Sequence, residues 1–297
     1  MKTNKKWQIS KKLKRSKKTG TVRGEFCAVK NNSSFSCFTR SSLKKIIDNW
    51  NEHNNDKINY NPSDSNEILW DKIDQKMSNN CTTEYCWKTN LKGIADDEIN
   101  SSFLPPMPGG WHENRQEWLS STDITRIMKQ YQITYEDFAF IGPVPIDFDY
   151  EYDAGKCIVN ELCNIKVSQL LSKGKKKLGI IFNLDRHDEP GSHWVSLFVD
   201  FEKHSIYYYD STSTPPPEEI IKLMHRIKQQ ASLATLNMNI HINDVRHQYK
   251  DSECGVYSIY FISQMLKGES FTLFKKNIIY DDGMNKMREN FFNPLVA

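Results

Sequence analysis

Residues 191–211 read Gly191-Ser192-His193-Trp194-Val195-Ser196-Leu197-Phe198-Val199-Asp200-Phe201-Glu202-Lys203-His204-Ser205-Ile206-Tyr207-Tyr208-Tyr209-Asp210-Ser211. The stretches 193–200 and 204–210 are rich in β-branched and aromatic residues and predict two paired strands. With Val199 opposite His204 around a four-residue turn, His193 falls opposite Asp210 on the same face, with Cβ atoms about 5 Å apart. A carboxylate so placed accepts the imidazole N–H, sets its tautomer and stabilises the imidazolium. Taken alone, the pair also fits an ordinary polar sheet edge.

A second stretch gives that pair a partner. Asp251-Ser252-Glu253-Cys254-Gly255 precedes Val256, Ile259, Tyr260, Ile262 and Leu266, which follow helical spacing and predict a helix opening at Cys254. Unpaired amides and the helix dipole favour a thiolate there, and a neighbouring His favours it further. Gly255 is expected to let backbone come close to a substrate. Gln248, in Arg246-His247-Gln248, is expected at the end of a strand spanning 238–245. Its side-chain amide can donate, with the Cys254 N–H, to a developing oxyanion. Read singly, Cys254 is a buried thiol and Gln248 a surface amide.

Outward from these motifs, the chain is 297 residues long, 26% charged and 38% apolar, which suits one or two packed domains and excludes fibrous or wholly disordered classes. Its longest near-apolar run, 178–184, is far too short to span a bilayer. The lysine-rich start has no apolar segment behind it, so neither a secretory leader nor a membrane partner is expected. Residues 1–30 carry eleven Lys and Arg against one Glu, while the remainder of the chain sums to −7. They read as a basic arm suited to non-specific contact with DNA or another polyanion. Residues 31–110 read as a mostly helical domain. Ser41-Ser42 precedes Leu43, Ile46, Ile47 and Trp50, and a second helix carries Ile68, Leu69, Ile73 and Met77. Leu104-Pro105-Pro106-Met107-Pro108-Gly109-Gly110 marks a boundary, and residues 111–297 form the remaining domain. There Thr122 or Asp123 caps a helix to about Tyr131, and strands cover 178–184, 193–200, 204–210 and 238–245. A helix with Ile220, Ile221, Met224 and Ile227 follows Pro215-Pro216-Pro217. Helices around a sheet with antiparallel pairs make the class α+β. The seven cysteines are odd in number and irregularly spaced, and are expected as reduced thiols. Cys81 and Cys86 lack a matching second pair, so no metal and no cofactor is expected.

In the order His, Asp, Gln, Cys, the motifs around His193-Trp194, Tyr209-Asp210-Ser211, Gln248 and Cys254-Gly255 resemble the adenain and deSUMOylase clan of cysteine proteases across residues 112–297. The resemblance implies a papain-like fold, a central mixed sheet flanked by helices, with an extra mostly helical N-terminal region. It implies His193 as base, Asp210 as its orienter, Gln248 in the oxyanion hole and Cys254 as nucleophile. Val245-Arg246-His247-Gln248 and Glu253-Cys254-Gly255-Val256-Tyr257-Ser258 resemble the polyprotein-processing proteases of African swine fever virus and other large DNA viruses. Cellular deSUMOylases usually carry Asp at the position of Glu253. They also open the domain with Trp-Leu-Asn-Asp, where this chain has Trp118-Leu119-Ser120-Ser121.

By the same resemblance, Trp118 and Trp194 roof a narrow tunnel that only Gly passes, so the substrate is a Gly-Gly-containing protein. That substrate is a viral polyprotein or, alternatively, a ubiquitin or SUMO conjugate on host proteins. A non-catalytic module on a decayed protease fold is disfavoured because Cys254, His193, Asp210 and Gln248 are all present. The chain's own Met107-Pro108-Gly109-Gly110-Trp111 contains such a Gly-Gly, although Pro and Gly also mark plain linkers. An intracellular site, in the host cytoplasm and the virion, is expected.

Overall fold

The computed structural model describes residues 22–31, 35–92 and 97–294. Most of the basic arm, residues 1–21, lies outside the described residues. Contacts divide the chain into two units between Leu104 and Pro105.

In the first unit the apolar spacing has the expected outcome. Helix α1 (Arg40–His53) starts two residues earlier than the Ser41-Ser42 cap predicts, because the Thr39 hydroxyl accepts from the Ser42 amide. Ser65 caps α2 (Asn66–Met77) in the same way, and two shorter helices follow, α3 (Glu84–Asn90) and α4 (Asp97–Asn100). Leu43, Ile46, Ile47, Leu69, Trp70, Ile73 and Trp87 are buried together. Among them lies a buried carboxylate, Glu84, which accepts from Trp70 Nε1 at 2.6 Å and from the amides of Cys37 and Gly24 at 3.1 and 3.0 Å. Three donors replace the water it has lost.

The expectation of reduced thiols is corrected. Six of the seven cysteines are paired, as Cys27–Cys37, Cys81–Cys86 and Cys157–Cys163. Each pair is separated by ten residues or fewer, so local folding alone brings the Cα atoms to 4.8–6.4 Å, within bridging range. Cys254 alone remains a free thiol.

The second unit is built on a five-stranded mixed sheet in the order β1-β4-β5-β6-β7. It opens with α5 (Ser121–Thr134), closed by a capping box in which Ser120 and Asp123 exchange bonds. The strands are β1 (Phe138–Pro145), β4 (Lys177–Asn183), β5 (Trp194–Asp200), β6 (Ser205–Tyr209) and β7 (Asn239–Ile242). A small hairpin of β2 (Glu151–Asp153) and β3 (Lys156–Cys157), then α6 (Asn160–Cys163) and α7 (Val167–Ser172), fill the β1–β4 connection. Sequence reading passes over β1 because Gly142-Pro143 looks like a breaker. The strand tolerates it at the sheet edge, where the ladder with β4 slips between Ile141 and Val144.

Two helices cover the sheet from opposite sides. α8 (Glu218–Leu233) buries Ile220, Leu223, Met224 and Ile227 against Leu197, Val199, Ile206 and Tyr208. α9 (Cys254–Leu266), with almost every side chain buried, packs on β5, with α5 and α10 (Phe271–Lys276) beside it. α11 (Asp281–Met287) completes the unit. The segment after Leu104 is no free linker. Asn293 donates to Pro105 O, Met107 donates to Asn293 O, and Trp111 is buried edge-on to Phe292. That packing moves the division ahead of the Gly110 boundary expected from composition.

α9 lies close to the sheet because Gly179 has no side chain. A Cβ there would stand 2.8 Å from the Phe138 ring and 3.3 Å from Ile262 Cδ1. Gly179→Ala is therefore expected to cost about 1–3 kcal/mol through overpacking, read as a lower urea midpoint with an unchanged m-value. An unaltered midpoint would show that the ring and α9 yield freely.

Candidate active site

His193 immediately precedes β5 and Asp210 immediately follows β6. The pairing register differs from expectation. Asp200 faces Ser205 and Val199 faces Ile206, so the turn is Phe201–His204. The Asp200 carboxylate selects this turn by accepting from the amides of Glu202 and Lys203 at 3.1 and 2.9 Å. His204 closes it at φ 50°. The slip moves His193 from directly opposite Asp210 to a diagonal position. A displacement of two residues preserves the face, and the imidazole is long enough to reach: Nε2 lies 2.8 Å from Asp210 Oδ1.

Asp210 is fully buried. Its Oδ1 also accepts from the Thr212 amide and hydroxyl, both at 2.8 Å. Its backbone carbonyl accepts from Asn243 Nδ2 at 2.7 Å. Gln248 lies in the loop after β7, beyond the end of the expected strand. Its amide and that of His247 both donate to Ser211 O, at 2.9 and 2.8 Å. Its side chain accepts from Ser211 Oγ at 2.6 Å and donates to Lys250 O at 2.6 Å. An amide nitrogen carries two hydrogens, so one remains for a ligand. Sequence reading missed Thr212 and Asn243 and gave Ser211, quoted within the motif, no role of its own, because their partners are set by loop folding.

Cys254 is the first residue of α9 and is 1% exposed. It lies close enough to His193 to raise the pKa of the imidazole. With Nε2 on Asp210, Nδ1 is the ring nitrogen left for the sulfur. Gly255 has a different purpose from the one its sequence suggests. A Cβ would stand 3.0 Å from Leu119 Cβ and 3.2 Å from Trp194 Cδ1, so packing within the protein occupies that space. The Trp194 indole, 8% exposed, donates to Leu119 O at 3.1 Å. Three segments, 118–119, 193–194 and 254–255, thus converge, and Trp118 remains 42% exposed beside them.

Burial by itself would lower the affinity of His193 for its proton. Hydrogen bonds and charge from Asp210 and Cys254 outweigh it and push the pKa from 6.5 up to about 10. The arrangement favours an imidazolium held beside the Asp210 carboxylate and the Cys254 sulfur.

Because the folded value lies above the ordinary one, this coupling contributes stability in full below pH 6.5 and loses it as pH rises through about 10. Histidine NMR is expected to show His193 protonated at pH 8, with its titration moved down in Cys254→Ala. The stability gap between wild type and His193→Ala is expected to shrink between pH 6 and pH 10.5. A titration near 6.5 in the wild type would contradict this account.

Comparison with known proteins agrees with that chemistry. The C-terminal catalytic domain of the Ulp1 protease family matches residues 159–295, a span that includes His193, Asp210, Gln248 and Cys254. A thiol protease of Acanthamoeba polyphaga mimivirus is 36% identical over 214 residues, 71% of this chain and 68% of that protein. One protein of African swine fever virus is named a cysteine protease in a Malawi tick isolate and a SUMO-1 cysteine protease in a Kenyan pig isolate. Both versions are 27% identical over 238 residues, 74% of this chain and 86% of the relative. A crystal structure of the African swine fever virus protease superposes with a TM-score of 0.61 at 23% identity, covering 96% of this chain and 99% of that one, and so shares its fold. The chain belongs to the Ulp1 family of cysteine proteases, as an enzyme of the viral type found in mimivirus and African swine fever virus.

Proposed function

We propose that this protease is an endopeptidase that cuts viral structural or core polyproteins after Gly-Gly-like sites during virion maturation. The observation that carries the reading is the hydrogen bond from His193 Nε2 to Asp210 Oδ1 at 2.8 Å, with the buried Cys254 close enough to raise the His193 pKa. In this mechanism the Cys254 thiolate attacks the glycyl carbonyl carbon and forms a C–S bond. The resulting oxyanion receives the Cys254 amide, which helical bonding leaves unpaired, and the spare Gln248 Nε2 hydrogen. His193 Nδ1 gives its proton to the leaving amine as the C–N bond breaks. Water, deprotonated by the same nitrogen, then cleaves the thioester and releases the carboxylate and the thiolate. Trp194, held by Leu119, and exposed Trp118 flank this position, and side chains larger than hydrogen would meet their rings.

The basic residues 1–30 fit retention of the enzyme on DNA or on an acidic polyprotein, in the host cytoplasm and in the virion. Self-cleavage after Gly110 is disfavoured, because Gly109–His112 forms a helical turn whose Trp111 is buried. The name SUMO-1 cysteine protease, borne by the relatives from three African swine fever virus isolates, favours isopeptidase action on host conjugates as the second reading.

A Gly-Gly-x peptide set, SUMO conjugates and ubiquitin conjugates tested side by side separate the two readings. Peptide cleavage with intact conjugates is expected; efficient cleavage of conjugates alone would replace the first reading with the second. Cys254→Ala is expected to reduce turnover to background with the fold retained. Asp210→Asn, which keeps an acceptor but loses the charge, is expected to lose less than His193→Ala, whose deficit should reach roughly 10²–10⁴-fold. Turnover that survives in Cys254→Ala would refute the mechanism.

A further inference from the structure

Next to the nucleophile lies a second buried ion pair that the mechanism above does not use. Glu253 is 1% exposed and Arg288, in the turn after α11, is 4% exposed. The guanidinium meets the carboxylate as a fork, Nε to Oε2 at 2.8 Å and Nη2 to Oε1 at 3.0 Å. Nη2 also reaches Ser252 O at 3.3 Å, and Nη1 donates to Glu117 O at 2.7 Å. The guanidinium lies 4.2 Å over the Trp111 ring. Asn285 Nδ2 and Ser252 Oγ donate to Glu253 Oε1 at 2.8 and 3.2 Å. One cation therefore grips the residue before Cys254 and the residue before Trp118.

We propose that Arg288 is a positioning residue for peptide hydrolysis, neutralising Glu253 beside the Cys254 thiolate and tying the Glu117-Trp118 wall to the nucleophile's helix. This rests on the cysteine-protease mechanism above. The charged groups around Cys254 are His193, backed by Asp210, on the sheet side and Glu253 with Arg288 on the helix side. Asp281 lies farther out, near the Tyr257 hydroxyl and bonded to the Tyr249 amide, and Lys250 pairs with Asp282. Of these, Glu253 is the carboxylate joined through the backbone to Cys254. Without Arg288 it becomes a buried anion one residue from a second anion, which disfavours the thiolate.

The test uses iodoacetamide, for which Cys254 is the single free thiol, so thiolate formation is read without any substrate. Arg288→Gln is expected to alkylate about tenfold more slowly at pH 7, with its rate–pH profile moved to higher pH. It is also expected to lower kcat and raise KM for a Gly-Gly-x peptide. Glu253→Gln/Arg288→Gln removes both charges and is expected to restore the alkylation profile while KM stays high, because Glu117 O remains unheld. Arg288→Lys keeps the charge without the fork and is expected to retain the wild-type profile with an intermediate KM. The double variant and the lysine variant decide the matter if Arg288→Gln does not fold. A profile unmoved in Arg288→Gln, equally displaced in the double variant, or displaced in Arg288→Lys would overturn the proposal. Hydrolysis persisting in Cys254→Ala would instead overturn the mechanism and leave the alkylation result standing.

Discussion

A helix buried on nearly every side still has to begin somewhere, and the amides of its first turn have no partners within the helix. α9 is such a helix, packed on β5 and flanked by α5 and α10. Its start is where this protein concentrates its polar chemistry. Trp194 donates to Leu119 O, and Gly255 lies against both residues with no room for a Cβ. This three-way junction sets the distance between the strand that follows His193, the segment that carries Trp118 and the helix that begins with Cys254. A side chain at Gly255 would separate all three.

Around that junction the charges are arranged as two pairs, one partly and one fully buried, rather than as isolated ions. Asp210 and His193 form one, and Glu253 and Arg288 the other. A buried charge is costly without a partner, and removing one member of such a pair typically costs about 3–5 kcal/mol. The first pair is incompletely satisfied: Asp210 Oδ1 has three donors and Oδ2, also buried, has none. The second is more fully bonded, with contacts to Ser252, Asn285 and two backbone carbonyls. The contrast is what separate duties would require. An imidazolium that passes its proton on gains from a partner that does not hold it too tightly, whereas a clamp gains from every bond it can make.

The similarity to viral proteases of 26–36% identity spans both units of the chain in part. The first unit is a packed domain in its own right, with Glu84 satisfied by three donors and two local disulfides. No helix among the described residues is long and apolar enough to cross a membrane.

The sequence by itself determined the helices and strands with clean apolar periodicity, α1, α2, α8, α9 and β4 to β6. Through their resemblance in type and order to a known protease family, His193, Asp210, Gln248 and Cys254 were expected to form one constellation, and the fold joins His193 to Asp210. Periodicity depends only on near neighbours, so a linear reading captures it. Only the tertiary structure decided the rest. The hairpin register turned on Asp200 capping its own turn, and the pairing of cysteines turned on how short loops fold. Strand β1 was hidden because Gly142-Pro143 is tolerable only at a sheet edge, a fact about neighbours far along the chain. Gly255 was reassigned from substrate access to packing by Leu119, 136 residues upstream. Arg288 showed no signal in sequence, since nothing in Arg-Glu-Asn marks a cation that meets Glu253 and Glu117 in the folded chain. Such contacts join residues whose separation in sequence carries no record of their approach, and packing of the intervening elements alone brings them together.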